Sequence, residues 1–84
     1  MNLSLNEIAR AVGGRLRGQA EARITGISTD SRTIEPGQMF VALKGDNFDG
    51  HDYLEQVLGL GAGAALVNRA PASVAGSLIV VEDT

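Results

Sequence analysis

Two short aliphatic runs, Met39-Phe40-Val41-Ala42-Leu43 and Ala64-Ala65-Leu66-Val67, constrain the fold of this chain more than any other feature. Each is apolar at every position, the pattern of a strand covered on both faces, and such strands are usually parallel. Parallel neighbours need a crossover. Between the runs, Leu54, Val57 and Leu58 fall at helical spacing behind Asp49, a residue able to cap a helix, and Gly59 and Gly61 close the segment. Strand, helix and strand therefore make a βαβ unit, with a right-handed crossover expected. A further apolar run, Leu78-Ile79-Val80-Val81, supplies another strand after a loop from Asn68 to Ser77 that contains Pro71. The expected fold class is α/β, a partly parallel sheet with flanking helices.

The first part of the chain reads differently. Ser4 and Glu7 have the spacing of a capping box, in which the serine hydroxyl takes an orphan helix amide and the glutamate reaches back. Leu5, Ile8, Ala9 and Val12 then share one helical face, and Gly13-Gly14 gives the left-handed stop. Arg15 to Arg17 and Arg23 to Ser28 read as short strands placed to pair as a hairpin across Gly18-Gln19-Ala20-Glu21. Pro36-Gly37 predicts a tight turn, because proline presets φ at the second position and glycine accepts positive φ at the third. No repeat or linker interrupts residues 1–84, which are read as one domain.

Composition removes several function classes. Only two Phe and one Tyr supply aromatic bulk, so the core is built from aliphatics, which suits α/β packing. A net charge of -3 with seven scattered basic residues argues against nucleic acid as a partner, because phosphate-backbone affinity needs clustered Lys and Arg. Cysteine is absent, which removes disulfides and thiol chemistry. No apolar stretch has membrane-spanning length and the first residues lack a signal-peptide pattern, so a cytoplasmic protein without membrane contact is expected.

Most motif candidates reduce to structural roles. Gly59-Leu60-Gly61-Ala62-Gly63 has the glycines of a dinucleotide fingerprint but follows a helix and precedes a strand, the reverse of the required order. Lys44 follows a strand without the G-x-x-x-x-G-K-S/T spacing of a phosphate loop. His51 is the single imidazole, and beside Asp49 and Asp52 it is open to metal, acid/base or surface readings, of which a surface position is the expectation. Asp30 and Asp49 are expected to stabilise turns or cap helices, with no catalytic role. Two loops remain, Thr29-Asp30-Ser31-Arg32 and Lys44 to His51, both following strands, where open α/β sheets bind ligands. Together they offer hydroxyls, an amide, two cations, glycine-exposed backbone N–H groups and a helix start. That set suits a neutral heterocycle beside a diphosphate, although both loops also read as plain turns.

The succession Ser28-Thr29-Asp30-Ser31-Arg32, Pro36-Gly37, Phe40-Val41-Ala42-Leu43-Lys44-Gly45 and Phe48-Asp49-Gly50-His51-Asp52-Tyr53 resembles the N-terminal domain of Mur ligases. Gly61-Ala62-Gly63-Ala64-Ala65-Leu66-Val67 continues the similarity, which spans nearly the whole chain. The F-D-G-H-D form looks most like the MurF type, which adds D-alanyl-D-alanine to UDP-N-acetylmuramoyl tripeptide. The MurE type, acting on the UDP-N-acetylmuramoyl dipeptide, is next. The resemblance implies a domain that anchors the UDP end of the substrate, with Thr29, Ser31, Asp46, Asn47 and Phe48 lining the site beside Arg32, Lys44, Gly45 and His51. A carboxylate at Asp46 fits beside a diphosphate only if it faces the sugar or acts through its backbone. The resemblance places ATP, magnesium and the catalytic residues in a following central domain of the same polypeptide, beyond Thr84, so no catalytic residue, metal or cofactor is expected within these 84 residues. A stand-alone, non-catalytic binding module is the alternative.

Overall fold

The structure is a computed structural model and describes residues 2–44, 49–69 and 76–82. The elements run β1 (Leu3–Ser4), α1 (Leu5–Val12), β2 (Arg15–Arg17), β3 (Arg23–Ile24), β4 (Gly26–Ser28), β5 (Gln38–Val41), a 3-10 turn (Gly50–Tyr53), α2 (Leu54–Gly59), β6 (Ala64–Val67) and β7 (Leu78–Val80). Five strands form the main sheet in the order β2-β7-β6-β5-β4. The four strands β4 to β7 are mutually parallel, and β2 closes one edge antiparallel to β7. β1 and β3 make a separate antiparallel pair, with Leu3 opposite Ile24.

The two aliphatic runs behave as expected. β5 and β6 lie side by side with Phe40 opposite Ala65, and alternate residues feed opposite faces of the sheet. Phe40, Ala42, Ala65, Val67 and Leu78 pack on one face against Leu54 and Val57 of α2. Met39, Ala64 and Ile79 pack on the other against Leu5, Ile8 and Ala9 of α1 and Ile24 of β3. The chain thus has three layers, and the central strands are buried because helices or strands cover both sides.

Local signals fix the connections. The capping box forms in both directions: Glu7 N–H donates to Ser4 Oγ at 3.2 Å, and Ser4 N–H donates to Glu7 Oε1 at 3.0 Å. Gly13, at φ 68, ends α1. Gly37, at φ 86, turns the chain into β5, with Gln38 N–H donating to Glu35 O across the Pro36-Gly37 pair.

The expected hairpin between Arg15–Arg17 and Arg23–Ser28 does not form. β2 instead pairs with β7, placing Leu16 opposite Ile79. Arg-Leu-Arg offers a single apolar side chain, so a free hairpin would bury little, whereas docking on the sheet edge brings Leu16 to the α1-side core. The second segment also divides. Thr25 N–H donates to Gly37 O, and the flanking strands β3 and β4 enter different sheets. Val12 is a second correction, because it is 46% exposed in the last turn of α1, immediately before the left-handed glycine.

Phe40 is fully buried at the centre of the α2-side cluster. Phe40→Ala should therefore cost about 3–5 kcal/mol in urea denaturation, against less than about 0.5 kcal/mol for Val12→Ala. Similar losses in the two variants would contradict this placement of the core.

Candidate functional site

Because β4, β5 and β6 are adjacent and parallel, the loops leaving their carboxyl ends gather at one end of the sheet. That end is where open α/β sheets hold ligands. The loop after β4 is shaped by its own side chains. Ser28 Oγ accepts from Asp30 N–H at 3.1 Å, and Asp30 Oδ1 accepts from Arg32 N–H at 2.8 Å. The Arg32 guanidinium then folds back onto the same carboxylate, Nε to Oδ1 at 3.1 Å and Nη2 to Oδ2 at 3.2 Å. The side-chain hydrogen bond from Arg32, followed by its backbone N–H, holds the Asp30 carboxyl below its ordinary range, and the carboxylate in turn raises the arginine.

This loop forms one wall of an open cleft of about 520 Å³, lined by Thr29, Asp30, Ser31, Arg32, Tyr53 and Gln56. The opposite wall comes from the turn and helix that follow β5. Tyr53 and Gln56 are three residues apart, a spacing that places them on one helical face, while Leu54 and Val57 point into the core. Ser31 is only 7% exposed, and its hydroxyl enters none of the side-chain hydrogen bonds found among the described residues.

Asp49 ties the loops after β5 and β6 together. Its Oδ1 accepts from His51 N–H at 3.0 Å and lies 2.7 Å from His51 Nδ1, and its Oδ2 accepts from Arg69 Nη2 at 2.8 Å. His51 Nε2 accepts from Asn68 N–H at 3.1 Å. A backbone amide can only donate, so Nε2 is the acceptor and Nδ1 carries the proton shared with Asp49. Hydrogen bonding from Arg69, then from the backbone and ring of His51, drives the Asp49 carboxyl far below its ordinary value. Gly50 completes the junction. Its N–H donates to Leu43 O at 2.6 Å, and an added Cβ would sit 2.9 Å from Ala42 Cα, so the backbones meet too closely for a side chain.

The structure brings Thr29, Ser31 and Arg32 together in the cleft. Lys44 lies outside that lining, exposed at the end of the next loop, where it bridges to Asp49 through the backbone. Gly45, Asp46, Asn47 and Phe48 fall outside the described residues. His51 is corrected on two counts. It is buried rather than on the surface, with its side chain 1% exposed, and both ring nitrogens are already engaged, which leaves no lone pair or proton for a ligand. The helix start expected to face an anion is also corrected. Asp49 caps it with a carboxylate, and α2 itself is only six residues long. Tyr53 and Gln56 were not among the expected site residues. Their signal was the polar side of the helix whose apolar side, Leu54 and Val57, had been recognised. Among the described residues no three His, Asp or Glu side chains converge on a point where a metal could sit.

Comparison with known proteins gives a consistent picture. Residues 23–83 match the sequence profile described as Mur ligase family, catalytic domain. Over 84 residues the chain is 38% identical to the UDP-N-acetylmuramoyl-tripeptide--D-alanyl-D-alanine ligase of Escherichia coli, covering 100% of this chain and 18% of that protein. It is 41% identical over 69 residues to the UDP-N-acetylmuramoyl-L-alanyl-D-glutamate--2,6-diaminopimelate ligase of Phocaeicola vulgatus, covering 80% of this chain and 14% of the relative. A crystal structure of MurF from Acinetobacter baumannii superposes with a TM-score of 0.88 at 35% identity, over 100% of this chain and 19% of that one. MurF ligase from Thermotoga maritima, solved in complex with ADP, superposes with a TM-score of 0.60 at 33% identity over 68% of this chain and 13% of its own. The chain therefore spans about a fifth of the length of relatives that match it from end to end.

The Asp49 junction predicts an acid response. Folding lowers this carboxyl from its ordinary value of 3.8, so its contribution to stability is complete above that pH and is lost as the pH falls below it. Asp49→Asn keeps an oxygen for the turn and removes the charge held by Arg69. It should be less stable than the native chain at pH 7, with the gap closing steadily as the pH is lowered through 4 towards 2 in urea titrations. A gap independent of pH would show that the charge of Asp49 contributes nothing.

Proposed function

The chain belongs to the Mur ligase family, and on that premise we propose that residues 1–84 form the substrate-anchoring domain of an ATP-dependent ligase that joins D-alanyl-D-alanine to UDP-N-acetylmuramoyl tripeptide in peptidoglycan precursor synthesis. The observation that carries this reading is the cleft at the carboxyl ends of the parallel strands, where the Thr29–Arg32 loop faces Tyr53 and Gln56. It is large enough for a nucleoside and lies open to solvent on one side, so the rest of a long substrate can extend away from it.

On this reading the domain binds and orients, and the remainder of the polypeptide carries the chemistry. There ATP and magnesium would serve to activate the tripeptide carboxylate as an acyl phosphate, which the dipeptide amine displaces to form the new amide. Residues of this chain would contribute by holding the UDP end still, which converts a loosely tethered carboxylate into a positioned one. That the Thermotoga maritima relative was solved in complex with ADP supports an ATP-using ligase. The cytoplasm, where ATP is available, is the compartment this function implies, and among the described residues no helix is long and apolar enough to cross a membrane.

A second reading has a specific observation behind it. The similarity to the diaminopimelate-adding ligase is of the same order as that to the D-alanyl-D-alanine ligases, so a domain anchoring UDP-N-acetylmuramoyl dipeptide fits the same cleft. Supplying the full-length gene product with dipeptide or tripeptide precursor, each with its acceptor amine and ATP, separates the two by which amide forms. A product of the gene that binds UDP but forms neither amide would instead be a stand-alone binding module.

Titration of this chain with UDP, followed by amide chemical shifts, should move the resonances of residues 29–32 and 53–56 while those of α1 stay in place. Absence of shifts at millimolar UDP in both segments would remove the anchoring function.

A further inference from the structure

We infer that the open groove between the turn after α1 and the end of β7 is the surface on which the remainder of the ligase polypeptide docks, with Asn68 as its central polar contact. This rests on the anchoring reading above and gives that domain a second working surface, apart from the cleft.

The groove holds about 440 Å³. Its walls are residues 13–15 and 80–82, and Asn68 lines it with them. β2 runs antiparallel to β7 with Arg15 opposite Val80, so the start of β2 lies at the carboxyl end of the parallel strands. Groove and cleft therefore share one end of the sheet, the cleft beyond β4 and β5 and the groove beyond β6 and β7. A body seated in the groove stands beside a substrate that leaves the cleft, which is where a domain that activates the far end of that substrate has to be.

Asn68 is what marks this surface. Its side-chain carbonyl oxygen is buried and accepts no hydrogen bond, the one such side-chain atom among the described residues. Native folds rarely leave a buried acceptor unmatched, because the hydration it loses is not replaced. The backbone of Asn68 is already committed, its N–H donating to His51 Nε2. The side-chain amide turns about a broad χ2 torsion, so a donor entering the groove can draw the oxygen round to meet it. Arg15 and Glu82 stand exposed at the rim and enter no ion pair among the described residues. Charges of that kind occur on any surface, but here they flank an acceptor that this chain does not satisfy.

The make-up of the groove selects its occupant. Val12, next to Gly13 in the chain, is 46% exposed, and Val81 is half-buried, so a modest apolar area is rimmed by charges of both signs. Interfaces between domains of one chain are of this kind, more polar than those of permanent dimers. This chain covers only 18% of a relative that matches it over its whole length, so on the anchoring reading a larger body of the same polypeptide has to pack against it. The segment that fits carries an acid for Arg15, a hydrogen-bond donor for Asn68 and a base for Glu82.

The test compares the full-length gene product with this chain by hydrogen exchange, without substrate. Residues 13–15 are the ones to read, because they are remote in sequence from Thr84. Their amides should exchange roughly tenfold or more slowly in the full-length protein, while those of residues 29–32 keep their rates. Asn68→Ala should leave this chain at least as stable in urea, since it deletes an unmatched acceptor. In the full-length ligase the same substitution should lower kcat roughly tenfold with UDP affinity unchanged, and Arg15→Glu should do likewise. Equal exchange of residues 13–15 in the two proteins would overturn the assignment, as would native kcat in both variants or a gene product no longer than this chain. Marked destabilisation of this chain by Asn68→Ala would also overturn it, by showing that the oxygen is already matched within the domain. Slower exchange of residues 13–15 in this chain alone as its concentration rises would give the groove to a second copy instead. UDP binding by the full-length protein tests the anchoring reading separately: if it is absent while residues 13–15 are protected, the docking surface stands and the anchoring function falls.

Discussion

Burial of both faces of β5 and β6 is the constraint on which the other features rest. Phe40, Ala42, Ala65 and Val67 must be covered on one side, and Met39 and Ala64 on the other, because an open parallel sheet would expose apolar surface along its whole length. α2 and α1 meet those demands from opposite directions. With both faces taken and the strands running the same way, the carboxyl end of the sheet is where backbone leaves the core in three neighbouring loops. The cleft at that end follows from the packing, since the polar groups that line it are brought together by strands they do not themselves hold in place.

Within this end the carboxylates do the organising. Asp30 and Asp49 follow parallel strands β4 and β5, and each closes a turn through a backbone N–H two residues on, Arg32 in one case and His51 in the other. Each then engages a guanidinium, Arg32 or Arg69. The repeated device braces a turn after each of two neighbouring strands in a domain with few aromatics. His51 extends the second device across the sheet, because its far nitrogen reaches the backbone of Asn68 after β6. Loops after β5 and β6 are thus coupled through one buried ring, and the loop after β4 is braced separately.

How much of this could be read in advance depends on the range of the interaction. The Ser4 and Glu7 box, the Pro36-Gly37 turn and the strand-helix-strand unit are set by residues within a few positions of each other, and all three appear as their spacing implies. Strand partners are another matter. Arg15–Arg17 has one apolar side chain, so its own sequence states no preference between a hairpin and the edge at β7, and the core around Ile79 decides. The role of His51 was equally hidden, because Asp49 is local while Asn68 is brought near only by the βαβ crossover. Membership of the family was legible in full, from the order of several short motifs. The cleft was legible by half: the loop after β4 stood out as a cluster of polar residues, while Tyr53 and Gln56 belong to a helix that had been read for its apolar side.

A net-acidic domain whose loops are braced by carboxylates faces an electrostatic conflict with an anionic ligand of the kind proposed above. Carboxylates are needed to brace the loops, but a bare carboxylate beside a diphosphate is repulsive by several kcal/mol at close range. Pairing Asp30 with Arg32 offsets that carboxylate's charge at the cleft through Nε and Nη2, one edge of the guanidinium, and leaves Nη1 outside the pair. Lys44, exposed in the loop after β5 and in no side-chain ion pair among the described residues, is a second cation following these parallel strands that no neighbouring carboxylate offsets in this way.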